Sequence, residues 1–348
     1  MNGNCSTTGC KSPERLPDAA ALEQQWKSID WKKAETEVNR LQTRIAKATQ
    51  EKKWNTVKRL QYLLTHSYDA KVLAVRKVTT NKGKKTPGVD GELWSTPAAK
   101  MRGVLTLTDK GYKAKPLRRV FIEKKGKKAK RPLGIPCMYD RAMQALYALA
   151  LDPVSETTAD TKSFGFRKGR CAQDACEYIF TALSRRNSPQ WVLEGDIKGC
   201  FDHISHAWLI EHIPMDKSVL KQFLKAGFIF ERELFPTDEG TPQGGVISPI
   251  LANMALDGMQ KVLSDRFHTN RLGKVDLRFK NAHKVNLVRY ADDFIVTAAT
   301  KEIAVEAKEI VRDFLQTRGL ELSEEKTVIT HIDDGVGRMI RLLKQKGL

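Results

Sequence analysis

NLVRYADDFIVTA, residues 286 to 298, sets two adjacent aspartates, Asp292 and Asp293, inside an otherwise apolar run. An ionised carboxylate loses hydration when it packs among strand-forming residues, so its presence there needs a compensating cation. LVRY and FIVTA alternate on either side like the arms of a β-hairpin, and a tight turn between them carries both carboxylates to the end of a sheet. A second acidic strand end raises the weight of this reading. VLEGDIKGCFD presents Asp196 after an apolar strand, with Asp202 opening the next helix. Aspartates on neighbouring strand ends make a hard-oxygen site of the kind Mg²⁺ uses when substrate phosphates supply further ligands. Two such metals can activate an attacking hydroxyl and stabilise a leaving oxygen in phosphoryl transfer.

The rest of the chain is consistent with a phosphate-rich substrate. Sixty Lys and Arg stand against 41 Asp and Glu, for a net charge of +19 and a pI near 9.6. The segment 110–131, KGYKAKPLRRVFIEKKGKKAKR, holds eleven basic residues and a single acid, Glu123. A polyanion, most simply nucleic acid, is the natural partner of such a surface. No apolar stretch is long enough for a transmembrane helix, and the N-terminus lacks a signal core, so no membrane partner and a cytoplasmic location are expected. The six cysteines have no metal-ligand spacing and read as reduced thiols. His203 and His206, in FDHISHAWL, read as helix-cap and surface residues rather than metal ligands.

Residues 1–20 are Ser/Pro/Gly-rich and read as disordered. Helical periodicity follows, with Trp31, Val38, Leu41 and Ile45 near one face and Trp54, Val57, Leu60 and Leu64 near another. NKGKKTPGVDG is a loop, 96–110 a short helix, and RRVFIEK with KRPLGIP a basic hairpin. DRAMQALYALALDPV is a buried helix. From Trp191 the order strand, helix, helix, strand, strand, helix, strand implies an α+β sheet with helices on one face.

DIKGCFD, GTPQGGVISPILANMALD, RYADDF and GLELSEEKT, in this order, resemble successive motifs of reverse transcriptases. KTPGVDG, PLRRVFIEK, KRPLGIPCMYDRAMQALYALALDPVSE and SFGFRKGR are similar to the fingers of the enzymes encoded by bacterial group II introns. The resemblance runs from about Trp26 to Asp334 and implies a right-hand polymerase: fingers, then a ferredoxin-like palm with helices on one face, after a helical N-terminal extension. It implies catalytic roles for Asp196, Asp292, Asp293 and Lys326. Two Mg²⁺ ions would be held by Asp196, Asp292, Asp293 and the backbone carbonyl of Ile197. Asp196 and Asp292 are the surer ligands. Phe201 matches the aromatic beneath the deoxyribose, which leaves no volume for a 2′-hydroxyl; the alternative is an ordinary core aromatic. Gln243 matches the glutamine that contacts the nucleotide, and Arg118, Lys124 and Arg131 match its triphosphate clamp. Lys326 matches a lysine that protonates pyrophosphate, with a plain surface lysine as the competing reading. Lys125, Lys127, Lys128, Arg167 and Arg170 are expected on template or primer phosphates.

The expected organisation is therefore a disordered 1–20, a helical extension 21–80, fingers 81–190, a palm 191–334 with the YADD hairpin, and a divergent tail 335–348. In the family an aromatic-glycine strand, a thumb and a maturase region follow HIDDG. Here VGRMIRLLKQKGL stands in their place, and the reading is of a chain truncated before them, with a separate thumb or maturase chain as one way to complete it. The implied function is RNA-directed DNA polymerisation, with an RNA template, a DNA or RNA primer and dNTPs as partners and group II intron RNA as the implied template. The rival is an RNA-binding remnant of an intron maturase. An RNA-dependent RNA polymerase is disfavoured by Phe201.

Overall fold

The computed structural model describes residues 17–123, 130–185, 187–242 and 244–334. Cys5, Cys10, Lys124, Lys125, Lys127, Lys128, Gln243 and the segment 335–348 lie outside the described residues, as does most of the N-terminal stretch read as disordered.

Four helices open the chain: α1 (Ala19–Lys27), α2 (Trp31–Gln50), α3 (Trp54–His66) and α4 (Tyr68–Thr80). Side-chain oxygens of Asp18, Asp30 and Ser67 accept the first free backbone N–H groups of α1, α2 and α4. Val38 and Ile45 of α2 and Val57, Leu60 and Leu64 of α3 are buried at helical spacing, as the periodicity implies. Trp54 is exposed instead, because it begins α3 ahead of the buried stripe.

After α5 (Pro97–Thr106) come β1 (Leu117–Glu123) and β2 (Lys130–Ile135), antiparallel from Arg118 opposite Ile135 to Glu123 opposite Lys130. The long helix α6 (Met138–Thr158) is buried along most of its length and receives α2, α3 and α4. Pro153 lies inside it and has no N–H for the Leu149 carbonyl. The Gln42 side chain donates to that oxygen at 2.7 Å, so the proline break becomes the point where α2 is keyed to α6.

α7 (Ala172–Leu183) precedes β3 (Trp191–Asp196), α8 (Cys200–His203), α9 (His206–His212), α10 (Lys217–Leu224), β4 (Phe228–Phe230) and β5 (Glu233–Phe235). Then follow α11 (Ser248–Leu256), α12 (Met259–Phe267), α13 (Leu277–His283), β6 (Asn286–Tyr290), β7 (Asp293–Ala298), α14 (Lys301–Gln316) and β8 (Val328–His331). Two four-stranded sheets result, ordered β2-β1-β4-β5 and β6-β7-β3-β8. Every pairing in the second is antiparallel, and its order is that of a ferredoxin-like βαββαβ unit. Alternation sorts its side chains: Leu193, Leu287, Phe294 and Val296 enter the main core with α12 and α14. Val192, Val288 and Ile295 point the other way, into a smaller cluster with Ala175 and Ile179 of α7. The principal helical layer thus lies on one face, and α7 closes part of the other.

The first sheet holds a difference from the linear order of the sequence. β4 and β5 lie within the stretch read as palm, yet β4 runs parallel to β1, with Leu117 opposite Phe228. His206 also departs from its surface reading: it is buried, with Nε2 at 2.7 Å from the Gly240 carbonyl.

Candidate active site

The site is built where β3 ends beside the β6–β7 turn. Asp196 pairs with Asp293 across the ladder, and Tyr290 with Asp293 closes the hairpin, leaving Ala291 and Asp292 as the turn. Ala291 sits at φ 57°, in the left-handed region where a Cβ is strained. Two glycines make room for this arrangement. A Cβ on Gly195 would come within 2.0 Å of the Phe294 ring, and one on Gly165 within 2.3 Å of the Ala291 nitrogen.

Beyond Asp196 the strand end is laced to GLELSEEKT. Ser323 N–H donates to the Asp196 carbonyl at 2.8 Å, Lys198 N–H to the Glu321 carbonyl at 2.9 Å, and Ile197 bridges Leu322. This fold-back delivers the Lys326 ammonium to Oδ2 of Asp196 as an ion pair. Asp196, Asp202 and Asp292 all act on the buried Cys200 thiol. Burial pushes that thiol up to about 12, chiefly by desolvation, with Asp292 the largest of the carboxylate contributions.

Phe201 is half-buried on α8, and its carbonyl accepts the Thr241 N–H at 2.6 Å. The TPQGG loop then spans to the first sheet: Gly244, at φ 108°, packs so closely on β2 that a Cβ would meet the Gly134 oxygen at 2.7 Å. Val246 N–H donates to Oε1 of Gln144 at 2.7 Å. The described residues flanking position 243 are therefore fixed between Phe201 and the basic hairpin. On that hairpin Arg131 is exposed, and Arg118 is turned away, with Nε donating to the Pro87 carbonyl at 3.0 Å. Its neighbour Arg119 lies on the other face of β1, with its guanidinium over the Phe228 ring at 3.8 Å and its charge felt by Asp202. Sequence reading passed over Arg119; strand alternation was the signal that the two neighbouring arginines lie on opposite faces of β1.

Arg167 requires a correction. Its side chain is 1% exposed, forked onto Asp257 at 2.7 and 2.8 Å, with Nη1 on Glu156 at 3.0 Å. A buried guanidinium spent this way on Asp257 and Glu156 cannot reach a nucleic-acid phosphate. Arg170 is half-buried, with Nη1 on the Ser163 carbonyl at 2.6 Å. Asp257 also accepts from Arg289, at 2.7 Å, and Arg289 is 0% exposed. Arg289 donates onward to Oδ1 of Asn253 at 3.1 Å and to the Ala291 carbonyl at 3.3 Å. Asn253, Asp257 and Arg289 thus tie the end of SPILANMALD to the aspartate turn, a link the separate motifs did not disclose.

A candidate metal centre fits the donor set. The carboxylates at the ends of β3 and the β6–β7 turn are hard oxygen donors, and Asp196 already takes a cation in the form of Lys326. As the side chains stand, no group of three His, Cys, Asp or Glu among the described residues is arranged as a complete metal cage. No described helix is long and apolar enough to cross a membrane.

Comparison with known proteins agrees with this architecture. The family described as "Reverse transcriptase (RNA-dependent DNA polymerase)" matches residues 122–346, and "N-terminal domain of reverse transcriptase" matches residues 26–107. The first match extends past Asp334 into the segment read as a divergent tail. The group II intron-encoded protein LtrA of Lactococcus lactis subsp. cremoris is 32% identical over 83% of this chain and 57% of its own length. Protein YkfC of Escherichia coli (strain K12) is 32% identical over 75% of this chain and 77% of its own. The chain thus spans a little over half the length of LtrA. Among solved structures, the telomerase of Candida albicans in complex with a fragment of telomeric RNA aligns with TM-score 0.44 at 14% identity, over 63% of this chain and 42% of that one.

Proposed function

Because this chain belongs to the reverse transcriptase family, we propose that it extends a primer 3′-hydroxyl on an RNA template by adding deoxynucleotides. The observation that carries this is the meeting of Asp196, Asp293 and the Asp292 turn at one sheet end, beneath a loop that joins Phe201 to the basic hairpin. The family uses divalent metal ions. Two Mg²⁺ held by Asp196, Asp292, Asp293 and the Ile197 carbonyl would supply charge stabilisation at the attacking and leaving oxygens.

The chain's own residues do the positioning. Phe201 walls the sugar side of the nucleotide pocket and excludes a 2′-hydroxyl by volume. Lys124 and Arg131 receive the triphosphate, joined by Arg118 once its Nε leaves the Pro87 carbonyl, and Arg119, whose charge acts on Asp202, shares that work. Gln243 contacts the nucleotide between two fixed flanks. Lys326 holds a proton at the Asp196 end of the site, where a departing pyrophosphate needs one. Lys125, Lys127, Lys128 and the exposed edge of Arg170 hold template or primer phosphates through charge. Group II intron RNA is the proposed template, on the similarity to LtrA.

Primer extension on poly(rA)/oligo(dT) with Mg²⁺ tests this directly. Asp196→Ala and Asp292→Ala should each remove incorporation, a loss of at least several kcal/mol of transition-state stabilisation, while RNA binding stays near wild type. Asp293→Asn should be milder. Incorporation by either alanine variant at more than a trace would sink the metal assignment. RNA binding by the unaltered chain without any extension would favour the RNA-binding remnant.

A further inference from the structure

Beside Phe201 stands a second aromatic that none of the roles above uses. Phe166 is 58% exposed and holds φ 60°, a backbone region that bulky side chains rarely adopt. The residues around it are locked. Phe164 N–H donates to the Arg289 carbonyl at 2.8 Å, the Gly165 carbonyl accepts from Asn253 at 2.9 Å, and Arg167 is forked onto Asp257. Gly165 itself lies against the Ala291 nitrogen, in contact with the aspartate turn. The anchored segment therefore holds Phe166 out in water, where an apolar ring gains nothing, at a backbone angle that costs energy. Such strain persists where the surroundings over-determine it, and it concentrates at ligand sites. One edge contact is made: the Phe166 and Phe201 rings meet at 6.0 Å between centroids and 80° between planes. That geometry leaves the Phe166 ring largely uncovered.

We propose that Phe166 stacks on a nucleobase of the nascent base pair, forming with Phe201 a two-ring corner that fixes the base and sugar of the incoming position. The assignment rests on the polymerase reading. A base is favoured over an apolar partner because the ring meets Phe201, the wall of the proposed sugar pocket, and follows Gly165, which packs on the aspartate turn; base–aromatic stacking also tolerates any sequence. The base is either that of the incoming nucleotide or that of the template opposite it, and the test separates the two.

The experiment needs no chemistry. A dideoxy-terminated oligo(dT) primer on an RNA template is mixed with the full chain and Mg²⁺, and dTTP is titrated until a stable ternary complex forms. Replacing Phe166 by Ala or by Leu should raise the half-saturating dTTP concentration at least about fivefold, the low end of what one stacked base contributes. Phe166→Tyr keeps the planar face and should stay near wild type. With an abasic site opposite dTTP, a persisting Ala penalty places the ring on the incoming base, and a vanished one places it on the template base. Wild-type behaviour of the Leu variant would show that bulk alone matters and overturn the proposal, as would an unaffected Ala variant or a Tyr variant as weak as Ala. Failure of the unaltered chain to form any dTTP-dependent complex would overturn the polymerase reading itself, and this assignment with it.

Discussion

Replacing Asp257 by Ala should be among the most damaging single changes in the molecule, although the residue touches none of the candidate metal ligands. Its two oxygens accept from Arg167 at 2.7 and 2.8 Å and from Arg289 at 2.7 Å. Burial raises the proton affinity of its carboxyl and lowers that of the Arg289 guanidinium, so each charge depends on the other to remain in the core. Without Asp257 two guanidinium groups of 1% and 0% side-chain exposure face each other with the charge between them gone. Removing one partner of a buried pair costs about 3–5 kcal/mol. At about 2–4 °C of melting temperature per kcal/mol for a chain of a few hundred residues, the midpoint should fall by roughly 6–20 °C. Glu23→Ala, which breaks the exposed Lys27–Glu23 pair on α1, is the control and should move it by less than about 2 °C. Arg289→Met should fall between them, because it leaves the Arg167–Asp257 fork intact. Differential scanning calorimetry of the four proteins at one pH and salt concentration decides the matter. A midpoint for Asp257→Ala within about 2 °C of wild type would refute the reasoning.

Three other outcomes follow from the same structure. Phe201→Ala or Phe201→Val should admit rNTPs, read as single-nucleotide insertion with dNTP and rNTP at matched concentrations; an unchanged preference returns Phe201 to ordinary packing. RNA affinity should fall by roughly 10³-fold between 50 and 200 mM salt if about six phosphates are neutralised, and a slope near zero in a filter-binding titration would count against the basic surfaces. Asp140 is buried, accepting from the Tyr112 hydroxyl at 2.7 Å, and desolvation raises its carboxyl from 3.8 to about 6. The folded state therefore holds this proton more tightly than the unfolded chain, so the group's contribution to stability is complete below the unfolded value and lost as pH rises through about 6. Urea unfolding should show wild type losing stability relative to Asp140→Asn between pH 4 and pH 7, by roughly 2–3 kcal/mol; parallel pH curves would contradict this.

The parts of the fold legible in the sequence were those encoded by local periodicity. The β6–β7 hairpin announced itself because apolar alternation on both arms leaves the two aspartates only the hairpin's end, where Asp292 lies in the turn and Asp293 opens β7. The basic hairpin and α6 were legible for the same reason, one by its alternation and the other by an apolar run too long for a strand. What stayed hidden depends on distant partners. β4 and β5 are three residues each, and FIF and ELF become strands only because β1 offers an edge. Arg289 and Arg167 look like surface charges in a chain of +19, and nothing within RYADD or SFGFRKGR tells of the carboxylate at Asp257 that draws both inside. For the candidate site, the strand-end aspartates could be named from their motifs. The direction in which each hairpin arginine points could not, since it depends on the register of β1 and on the Pro87 carbonyl that captures Arg118.

The parallel pairing of β1 with β4 bears on how the protein can be made. During synthesis the basic hairpin emerges long before Phe228, and until then the edge of β1 at Leu117 and Arg118 lacks the strand that pairs with it in the folded chain. Such an edge recruits other chains. A fragment ended near residue 190, where the sequence invites a cut, should therefore precipitate or bind chaperones, whereas one carried through Phe235 should remain dispersed. A nascent chain stalled on the ribosome would become protease-resistant in this region only after Phe235 had cleared the exit tunnel.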